Sequence, residues 1–153
     1  MNTERPSAWL EVQHRQIDDG IKAVLKEGAP LEKLAEALEL LRLHIHLEEV
    51  VLFPPLEASG LTMPIFVMQR EHGIMWPIID ALLGVCNSGN DVVAAQDDAR
   101  ELFKQLQIHN PKEEQIVYSA ADRLAPEGAP AGLLAALKAA RMPEGWRCAK
   151  APA

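Results

Sequence analysis

One short motif occurs twice in this sequence, 65 positions apart. It reads His-x-x-x-Glu-Glu, and it begins at His44 and again at His109. Residues four apart lie one above the other on the same face of an α-helix, so each histidine and the glutamate four residues later can contact a common atom. A chain that uses both motifs together must fold as helices and must bring two of those helices face to face.

The rest of the sequence predicts the same fold class. Apolar residues recur at spacings of three and four in every long segment, and strand signals are weak. The pattern predicts an all-α protein with four long helices, which run from near Ser7 to Gly28, from Leu31 to the Pro54-Pro55 pair, from about Pro64 to Asn87, and from about Asp91 to Leu124. Connections of only a few residues between such helices favour an antiparallel up-down-up-down four-helix bundle.

A shorter helical pattern follows the fourth helix. Prolines and a glycine between residues 126 and 130 interrupt the chain before an alanine-rich fifth helix, which is predicted over residues 132–141. We expect residues 1–141 to form one bundle domain and residues 142–153 to form an irregular C-terminal tail, because a chain of 153 residues suffices for about one domain. The fifth helix would either cap the bundle or make a homodimer contact.

The composition indicates which classes of partner and which cellular compartment to expect for this protein. The formal net charge is -7, which has the wrong sign for a phosphate-binding surface, so we expect no nucleic-acid partner. Residues 1–13 lack the apolar core of a secretion signal, and polar residues interrupt the longest apolar region, residues 65–86, which argues against a membrane span. Cys86 and Cys148 have no second cysteine at metal-binding spacing. We therefore expect a cytoplasmic protein without disulfides.

The chain has five histidines, and four of them fall one per predicted helix at similar depth. The first two helices contribute His14, His44 and Glu48, and the last two contribute His72, His109 and Glu113. A single histidine on an apolar helix face is usually a packing residue, but this joint pattern favours a metal site over four unrelated histidines. His46 points about 200° around the helix from the histidine two positions before it, and it is expected to be a surface or packing residue.

The donor set predicts two metal ions. Each imidazole serves one metal, whereas a carboxylate can bridge two, so four histidines and two bridging glutamates give each metal two nitrogens and two oxygens. A six-coordinate metal would keep two further positions, which implies that the site binds something. Glu49 and Glu114 lie one step further around their helices. We expect each of them to be solvated or to lie outside the ligand set rather than to bind metal, and in the second case its carboxylate could orient a ligating imidazole through the other ring nitrogen.

Residues 44–54 and 109–118 resemble the second-helix and fourth-helix signatures of the hemerythrin-like family, also called HHE cation-binding domains. The resemblance extends from about residue 14 to residue 124 and implies a four-helix bundle that holds a non-heme di-iron centre. It implies that the iron ligands are His14, His44, His72 and His109 and that the bridging residues are Glu48 and Glu113. Manganese or zinc could occupy the same ligands. Ferritin-like bundles match less well, because their Glu-x-x-His motif has the reverse order and a spacing of three.

The third helix departs from the oxygen-carrying hemerythrins. Those proteins have a second histidine four residues after the first, where this chain has Trp76. The missing imidazole would leave the metal at His72 and His109 less saturated with protein ligands. Trp76 either lines an apolar ligand pocket or only packs in the core.

Two prolines lie inside the predicted helices. Pro111 removes a backbone donor between His109 and Glu113, so we expect the fourth helix to kink or bulge beside the metal. Pro77 should do the same to the third helix. Because the spacing from His109 to Glu113 assumes a regular helical turn, Glu114 is the alternative ligand on the fourth helix.

The resemblance implies a protein that binds a small diatomic ligand, dioxygen or nitric oxide, for sensing, storage or detoxification. The alternative is a redox enzyme or iron-handling protein, which would reduce nitric oxide or peroxide or donate iron for iron-sulfur cluster repair. The sequence leaves open whether the chain is an enzyme. We expect no fused output domain and find no redox cysteine pair, so sensing or turnover would need an unidentified protein partner. A purely structural metal is the third alternative.

Overall fold

The computed structural model describes residues 5–27, 30–89, 92–124 and 132–153. Its α-helices are α1 (Pro6–Glu27), α2 (Leu31–Leu47), α3 (Phe53–Ala58), α4 (Thr62–Ser88), α5 (Val92–Lys112), α6 (Tyr118–Leu124) and α7 (Leu133–Ala139). A first π turn (Glu48–Leu52) joins α2 to α3, and a second π turn (Glu113–Val117) joins α5 to α6. The described residues contain no strand, which confirms the all-α class for this part of the chain. None of the helices in these ranges has the length and apolar character needed to cross a membrane.

Four helical rods surround one interior. The first rod is α1, the second is α2 with α3, the third is α4, and the fourth is α5 with α6. The first rod packs along the second, the second along the third, the third along the fourth, and the fourth along the first. Each rod buries its apolar stripe in this way, which is the main favourable contribution to such packing.

Within the described residues the helices begin and end close to the predicted positions, with a few differences. The predicted helix end at Gly28, the predicted start at Asp91 and the predicted break over residues 126–130 lie outside the described residues. The second rod continues through the Pro54-Pro55 pair and reaches Ala58. Proline is tolerated in the first turn of a helix, where its missing N–H needs no partner, and the first π turn places the pair at the start of α3. α4 stays α-helical through Pro77, so the bulge expected there is not found. α7 is shorter than predicted and ends at Ala139.

The interior consists of two apolar clusters with a layer of polar side chains between them. In α1, Leu10 belongs to one cluster and Ile17 to the other, and His14 lies between them. α4 repeats this order around His72. Buried polar groups cost free energy unless they are hydrogen-bonded, paired or bound to a metal. The polar layer is therefore the candidate functional site.

The contact between the first two rods depends on a glycine. A Cβ atom at Gly20 would lie 2.6 Å from the Cβ of Ala37 and 3.3 Å from the carbonyl oxygen of Lys33. Glycine allows the two backbones to approach at this point, where any larger residue would force them apart.

The C-terminal segment, residues 140–153, has no helix but packs on the bundle. The ring of Trp146 lies edge-on to His46 of α2 and to Trp76 of α4, with ring centroids 4.8 Å and 5.6 Å apart. Cys148 is buried in the same region. The segment covers part of the second and third rods.

Candidate metal centre

Six side chains meet in the polar layer between the two apolar clusters. They are His14 from α1, His44 from α2, Glu48 from the first π turn, His72 from α4, His109 from α5 and Glu113 from the second π turn. Each of them is at most 4% exposed to solvent. These are the six residues that the sequence predicts as metal ligands, and the fold brings the whole set together.

The six side chains form two groups, and the candidate ligand atoms of each group lie within 4.8 Å of one another. The first half site consists of His14, His44, Glu48 and Glu113. The second half site consists of His72, His109 and the same two glutamates. Because both carboxylates belong to both groups, the arrangement could hold two metal ions that share two carboxylates.

Each shared carboxylate directs one oxygen toward each half site. Glu48 Oε2 lies 3.2 Å from Nε2 of the α2 histidine, and Glu48 Oε1 lies 3.2 Å from Nε2 of His72. Glu113 Oε1 lies 3.0 Å from Nε2 of His14, and Glu113 Oε2 lies 3.1 Å from Nε2 of His109. Every histidine of the set therefore faces a shared carboxylate oxygen through the same ring nitrogen.

The other ring nitrogen of each of these histidines is also held. Nδ1 donates to an oxygen in all four cases: from His14 to Glu114 over 2.7 Å, from His44 to Gln13 over 2.6 Å, from His72 to Glu49 over 2.7 Å, and from His109 to Glu71 over 2.8 Å. Since these oxygens can only accept, Nδ1 carries the proton, and the lone pair of the neutral ring lies on Nε2, toward the centre. Metal-ligating histidines have this arrangement.

The centre fits a cation. Nε2 atoms face carboxylate oxygens, and two of these atoms, Glu48 Oε1 and His72 Nε2, are buried without a hydrogen-bond partner among the described residues. A buried polar group left without a partner costs about 1–3 kcal/mol, and one metal ion would satisfy several such groups together. The donor chemistry and the two unpartnered atoms therefore agree with a metal centre built from these residues.

In the chain without metal, protons compensate for part of the negative charge. Burial lowers the pKa of His44, but Glu48 and Glu113 more than offset burial and raise this pKa to about 9. Carboxylate neighbours also raise the pKa of His72 and of His109 against the effect of burial. Burial raises the pKa of Glu113, yet His109 and the other imidazoles hold it well below its ordinary value. Protons and metal ions therefore compete for the same Nε2 atoms.

The two shared glutamates begin the two π turns. In each turn a backbone N–H donates to the carbonyl oxygen five residues earlier, from Phe53 to Glu48 and from Tyr118 to Glu113. The wider turn lets the aromatic residue share the helix face of its glutamate. The bulge predicted from Pro111 is found directly after it, as the second π turn. The first π turn has no proline before it, so proline is not the common cause of the two turns.

The aromatic residues of the two π turns differ in a hydroxyl group. Phe53 stacks on His72, with ring centroids 5.9 Å apart. Tyr118 directs its hydroxyl into the first half site, where it can donate to Glu48 Oε2 over 2.6 Å or to Glu113 Oε1 over 2.9 Å. Burial and the charges of both glutamates raise the pKa of Tyr118 well above its ordinary value. The predicted ligand set omits Tyr118, although its repeat position, five residues after a shared glutamate, was a usable signal.

Gln13 and Glu71 are two further residues that the predicted set omits. Each directly precedes a histidine of the centre, and each accepts a hydrogen bond from a histidine on the next rod. Glu71 also pairs with Lys112. Burial raises the pKa of Glu71, but its hydrogen bonds to His109 and Lys112 outweigh burial and lower it to about 2. The usable signal was the parallel between the pairs Gln-His and Glu-His in the first and third helices.

Glu49 and Glu114 lie beside the centre and outside both groups of candidate ligand atoms. Each follows a shared glutamate and accepts from Nδ1 of a histidine on a neighbouring rod. Glu113, rather than Glu114, contributes its carboxylate to both half sites. Glu49 also accepts from the backbone N–H of Ala149 over 2.9 Å. The C-terminal segment is therefore connected to the second half site through one carboxylate.

Trp76 packs in the core one turn after His72. It is 1% exposed and belongs to the larger apolar cluster. Together with Arg42 and Trp146 it also forms part of the wall of a surface groove of about 600 Å³. The core-packing alternative for Trp76 agrees with these contacts, and the ligand-pocket alternative stays a prediction. His46 is buried against Trp146, so it is a packing residue rather than a surface residue.

Comparison with known proteins adds one finding to this geometry. A family model described as the Hemerythrin HHE cation binding domain matches residues 5–121. The matched range contains both half sites and covers well over half of the chain. No curated protein and no solved structure matches the sequence. The family match confirms the resemblance seen in the sequence, and the chain therefore belongs to the hemerythrin HHE cation-binding domain family.

Proposed function

We propose that the chain is a hemerythrin-like non-heme di-iron protein that binds a small diatomic ligand, dioxygen or nitric oxide, for sensing, storage or detoxification. The observation that carries this proposal is the sharing of Glu48 and Glu113 between two buried half sites. Imidazole and carboxylate donors suit iron, although manganese or zinc would accept the same set. When bound, iron would supply an open coordination position and a change of oxidation state.

The residues of the chain would hold the metals and protect the ligand. The four Nε2 atoms and the two shared carboxylates are the proposed ligands, and the partners of Nδ1 keep each ring in its orientation. The apolar clusters on either side of the polar layer exclude water. A water-poor cavity favours an uncharged diatomic ligand and limits side reactions of the bound ligand.

The proposal includes the direction of the four rods. Pairs between the first and fourth rods run in opposite order along the two rods, namely Ser7 with Asp122, His14 with Glu113, and Asp18 with Gln107. Such pairs are typical of antiparallel neighbours. The short connections between consecutive rods favour the same relation for the others, which supports an up-down-up-down bundle.

We also propose a cytoplasmic location. Both cysteines of the chain, Cys86 and Cys148, are free thiols in the structure, and thiols stay reduced in the cytoplasm. The net charge of -7 disfavours a nucleic-acid partner. A homodimer and an unidentified protein partner stay predictions of the sequence analysis.

The second candidate is a redox enzyme or iron-handling protein that reduces nitric oxide or peroxide or donates iron for cluster repair. The low number of imidazole donors in the second half site favours this candidate, because Trp76 lies one turn after His72, where another histidine could have bound the metal. Fewer strong ligands make a metal more exchangeable and more reactive. Turnover of nitric oxide or peroxide with an added reductant would support this candidate, whereas stoichiometric binding without turnover would support the ligand-binding function.

Metal analysis and visible spectra of the aerobic protein test the main proposal. We expect about two iron ions per chain and an oxo-to-iron charge-transfer band that changes when azide or nitric oxide is added. The His44→Ala variant should lose metal. His46→Ala is the matched control on the same helix and should keep it, because His46 lies outside both half sites. Less than about one iron per chain after reconstitution would overturn the di-iron proposal.

A further inference from the structure

We propose that the hydroxyl oxygen of Tyr118 is a fifth protein ligand of the first half site, which makes the two half sites chemically unequal. This inference rests on the proposed di-metal function and goes beyond it. The predicted ligand set contains only histidines and glutamates, and so do the two groups of candidate ligand atoms. A phenolic oxygen would add a donor of a different chemical type to one metal.

The position of the hydroxyl oxygen carries the proposal. It lies 2.6 Å from Glu48 Oε2, 2.9 Å from Glu113 Oε1, and 3.0 Å from Nε2 of both His14 and His44. In an octahedral site with bonds of about 2.1 Å, neighbouring donors are about 3.0 Å apart and opposite donors about 4.2 Å apart. All four separations are close to the value for neighbours. The tyrosine oxygen therefore stands beside every donor of the first half site.

The other donors of this half site have the complementary spacing. Glu113 Oε1 lies 3.0 Å from Nε2 of His14 but 3.9 Å from Nε2 of His44. Glu48 Oε2 lies 3.2 Å from Nε2 of His44. Glu113 and His44 are thus spaced like opposite donors, whereas Glu113 with His14, and Glu48 with His44, are spaced like neighbours. Five protein atoms at such separations agree with five positions of one octahedral site.

Once the two imidazoles of this half site are neutral, hydrogen bonding alone does not satisfy its acceptor atoms. When His14 and His44 are neutral, as metal ligation requires, their Nδ1 protons point to Glu114 and Gln13, so each Nε2 offers only a lone pair. Two carboxylate oxygens add two more acceptors, and the hydroxyl group has a single proton to donate. A cation bound by all five atoms satisfies them together. On coordination the O–H bond breaks, the proton leaves to solvent, and an oxygen lone pair forms the bond to the metal.

The second half site has no equivalent oxygen among the described residues. Phe53 occupies the position that corresponds to Tyr118 in the sequence repeat, and its ring stacks on His72. The metal at His72 and His109 would therefore have four protein donors, and the metal of the first half site would have five. We expect a small exogenous ligand such as azide to bind at the second half site.

The composition of the chain makes the test direct. Tyr118 is its only tyrosine, so any phenolate signal has a single source. We expect full-length protein loaded with ferric iron to show a phenolate-to-iron charge-transfer band in the visible region. Resonance Raman excitation in this band should enhance tyrosine phenolate vibrations.

Two variants provide the comparison. Tyr118→Phe should lose the band and the vibrations, should keep the spectral change on azide binding, and should bind the iron of the first half site at least about tenfold more weakly. Phe53→Leu is the matched control, because it changes the equivalent aromatic residue of the other π turn. It should keep the phenolate band.

The outcomes separate this inference from the proposed function. Iron-loaded protein without phenolate vibrations would overturn the role of Tyr118 and would leave the di-iron proposal standing. A chain that binds no iron after reconstitution would overturn both. Because the spectrum of the unmodified protein decides the question, the test does not depend on whether Tyr118→Phe folds.

Discussion

Each histidine of the candidate centre uses its two ring nitrogens for different tasks. Nε2 faces the shared carboxylates, and Nδ1 donates to an oxygen on a neighbouring rod. Three of the four acceptors are carboxylates, whereas the acceptor for His44 is the side-chain amide of Gln13. A carboxylate partner makes a ring more basic than an amide partner does. This difference allows orientation and charge to be tested separately.

The first prediction concerns Glu71, which holds Nδ1 of His109. Glu71→Gln keeps an oxygen acceptor, as Gln13 does for His44, whereas Glu71→Ala removes it. We expect the alanine variant to bind metal about 10–100-fold more weakly and the glutamine variant to stay close to the parent protein. Competition with a chromogenic chelator measures both affinities. An alanine variant with the parent's affinity would contradict the positioning role of Glu71.

The second prediction concerns the sharing of Glu48. Because one oxygen of Glu48 faces each half site, Glu48→Ala should reduce the metal content of both half sites. His72→Ala should affect mainly the second half site. After reconstitution we expect well under one metal ion per chain in the first variant and about one in the second. If the two variants retain equal amounts of metal, the carboxylate is not shared.

At the scale of elements, the two π turns explain how each half of the repeat contributes three side chains. In a regular α-helix, a residue five positions after a glutamate points about 140° away from it. The π turn brings that residue back toward the same face, so Tyr118 and Phe53 both lie against the centre. π turns inside α-helices are frequent at functional sites. Both turns here start at a candidate ligand.

The third prediction concerns the contact between α4 and the C-terminal segment. A Cβ atom at Gly73 would lie 2.5 Å from the carbonyl oxygen and 2.8 Å from the carbonyl carbon of Lys150. Gly73→Ala should displace the segment, lower the free energy of unfolding by about 1–3 kcal/mol, and shift tryptophan emission to longer wavelength as the half-buried Trp146 becomes more exposed. Urea unfolding followed by fluorescence measures both effects.

Gly84→Ala is the matched control for this prediction. Gly84 lies in the same helix, and a Cβ atom there would meet nothing within 4 Å. Alanine is the better helix former, so this variant should be neutral or more stable by up to about 1 kcal/mol. Equal unfolding midpoints for the two variants would contradict the close packing of the segment at Gly73.

At the scale of the whole molecule, the centre connects all four rods. Each rod supplies at least one of the six donors, and Glu49 extends the connection to the C-terminal segment through Ala149. A metal bound there would link parts of the chain that are distant in sequence. Metal binding and folding should therefore be thermodynamically coupled.

The fourth prediction is that metal raises the thermal stability of the metal-free protein. A ligand that binds only the folded state stabilises it by about 2.7 kcal/mol when its concentration is 100 times its Kd. We expect the Tm to rise on addition of ferrous iron or zinc, with a similar rise in His46→Ala and a much smaller one in His44→Ala. Circular dichroism during heating measures these shifts. A parent Tm that does not respond to metal would argue against a site formed in folding.

The helices and the pairs His44-Glu48 and His109-Glu113 could be predicted because they depend on local spacing, and His14 and His72 were added because each falls at a similar depth in its own predicted helix. The partners of Nδ1 could not, because Gln13 and His44 belong to different rods and no periodicity relates them. The first π turn could not be predicted either, since no proline precedes it, whereas Pro111 predicted a bulge in the region of the second π turn. The packing of Cys148 and Trp146 on the bundle could not be predicted either, because an irregular segment has no periodic pattern that indicates its contacts.

The sequence by itself determined that His44 with Glu48, and His109 with Glu113, would share a helix face, because a spacing of four has that effect in any α-helix. Only the tertiary structure decided that both glutamates belong to both half sites and that the hydroxyl of Tyr118 lies in one of them. These contacts depend on the rotation and height of each rod relative to its neighbours. The packing of the whole core sets those quantities, and no local pattern contains them.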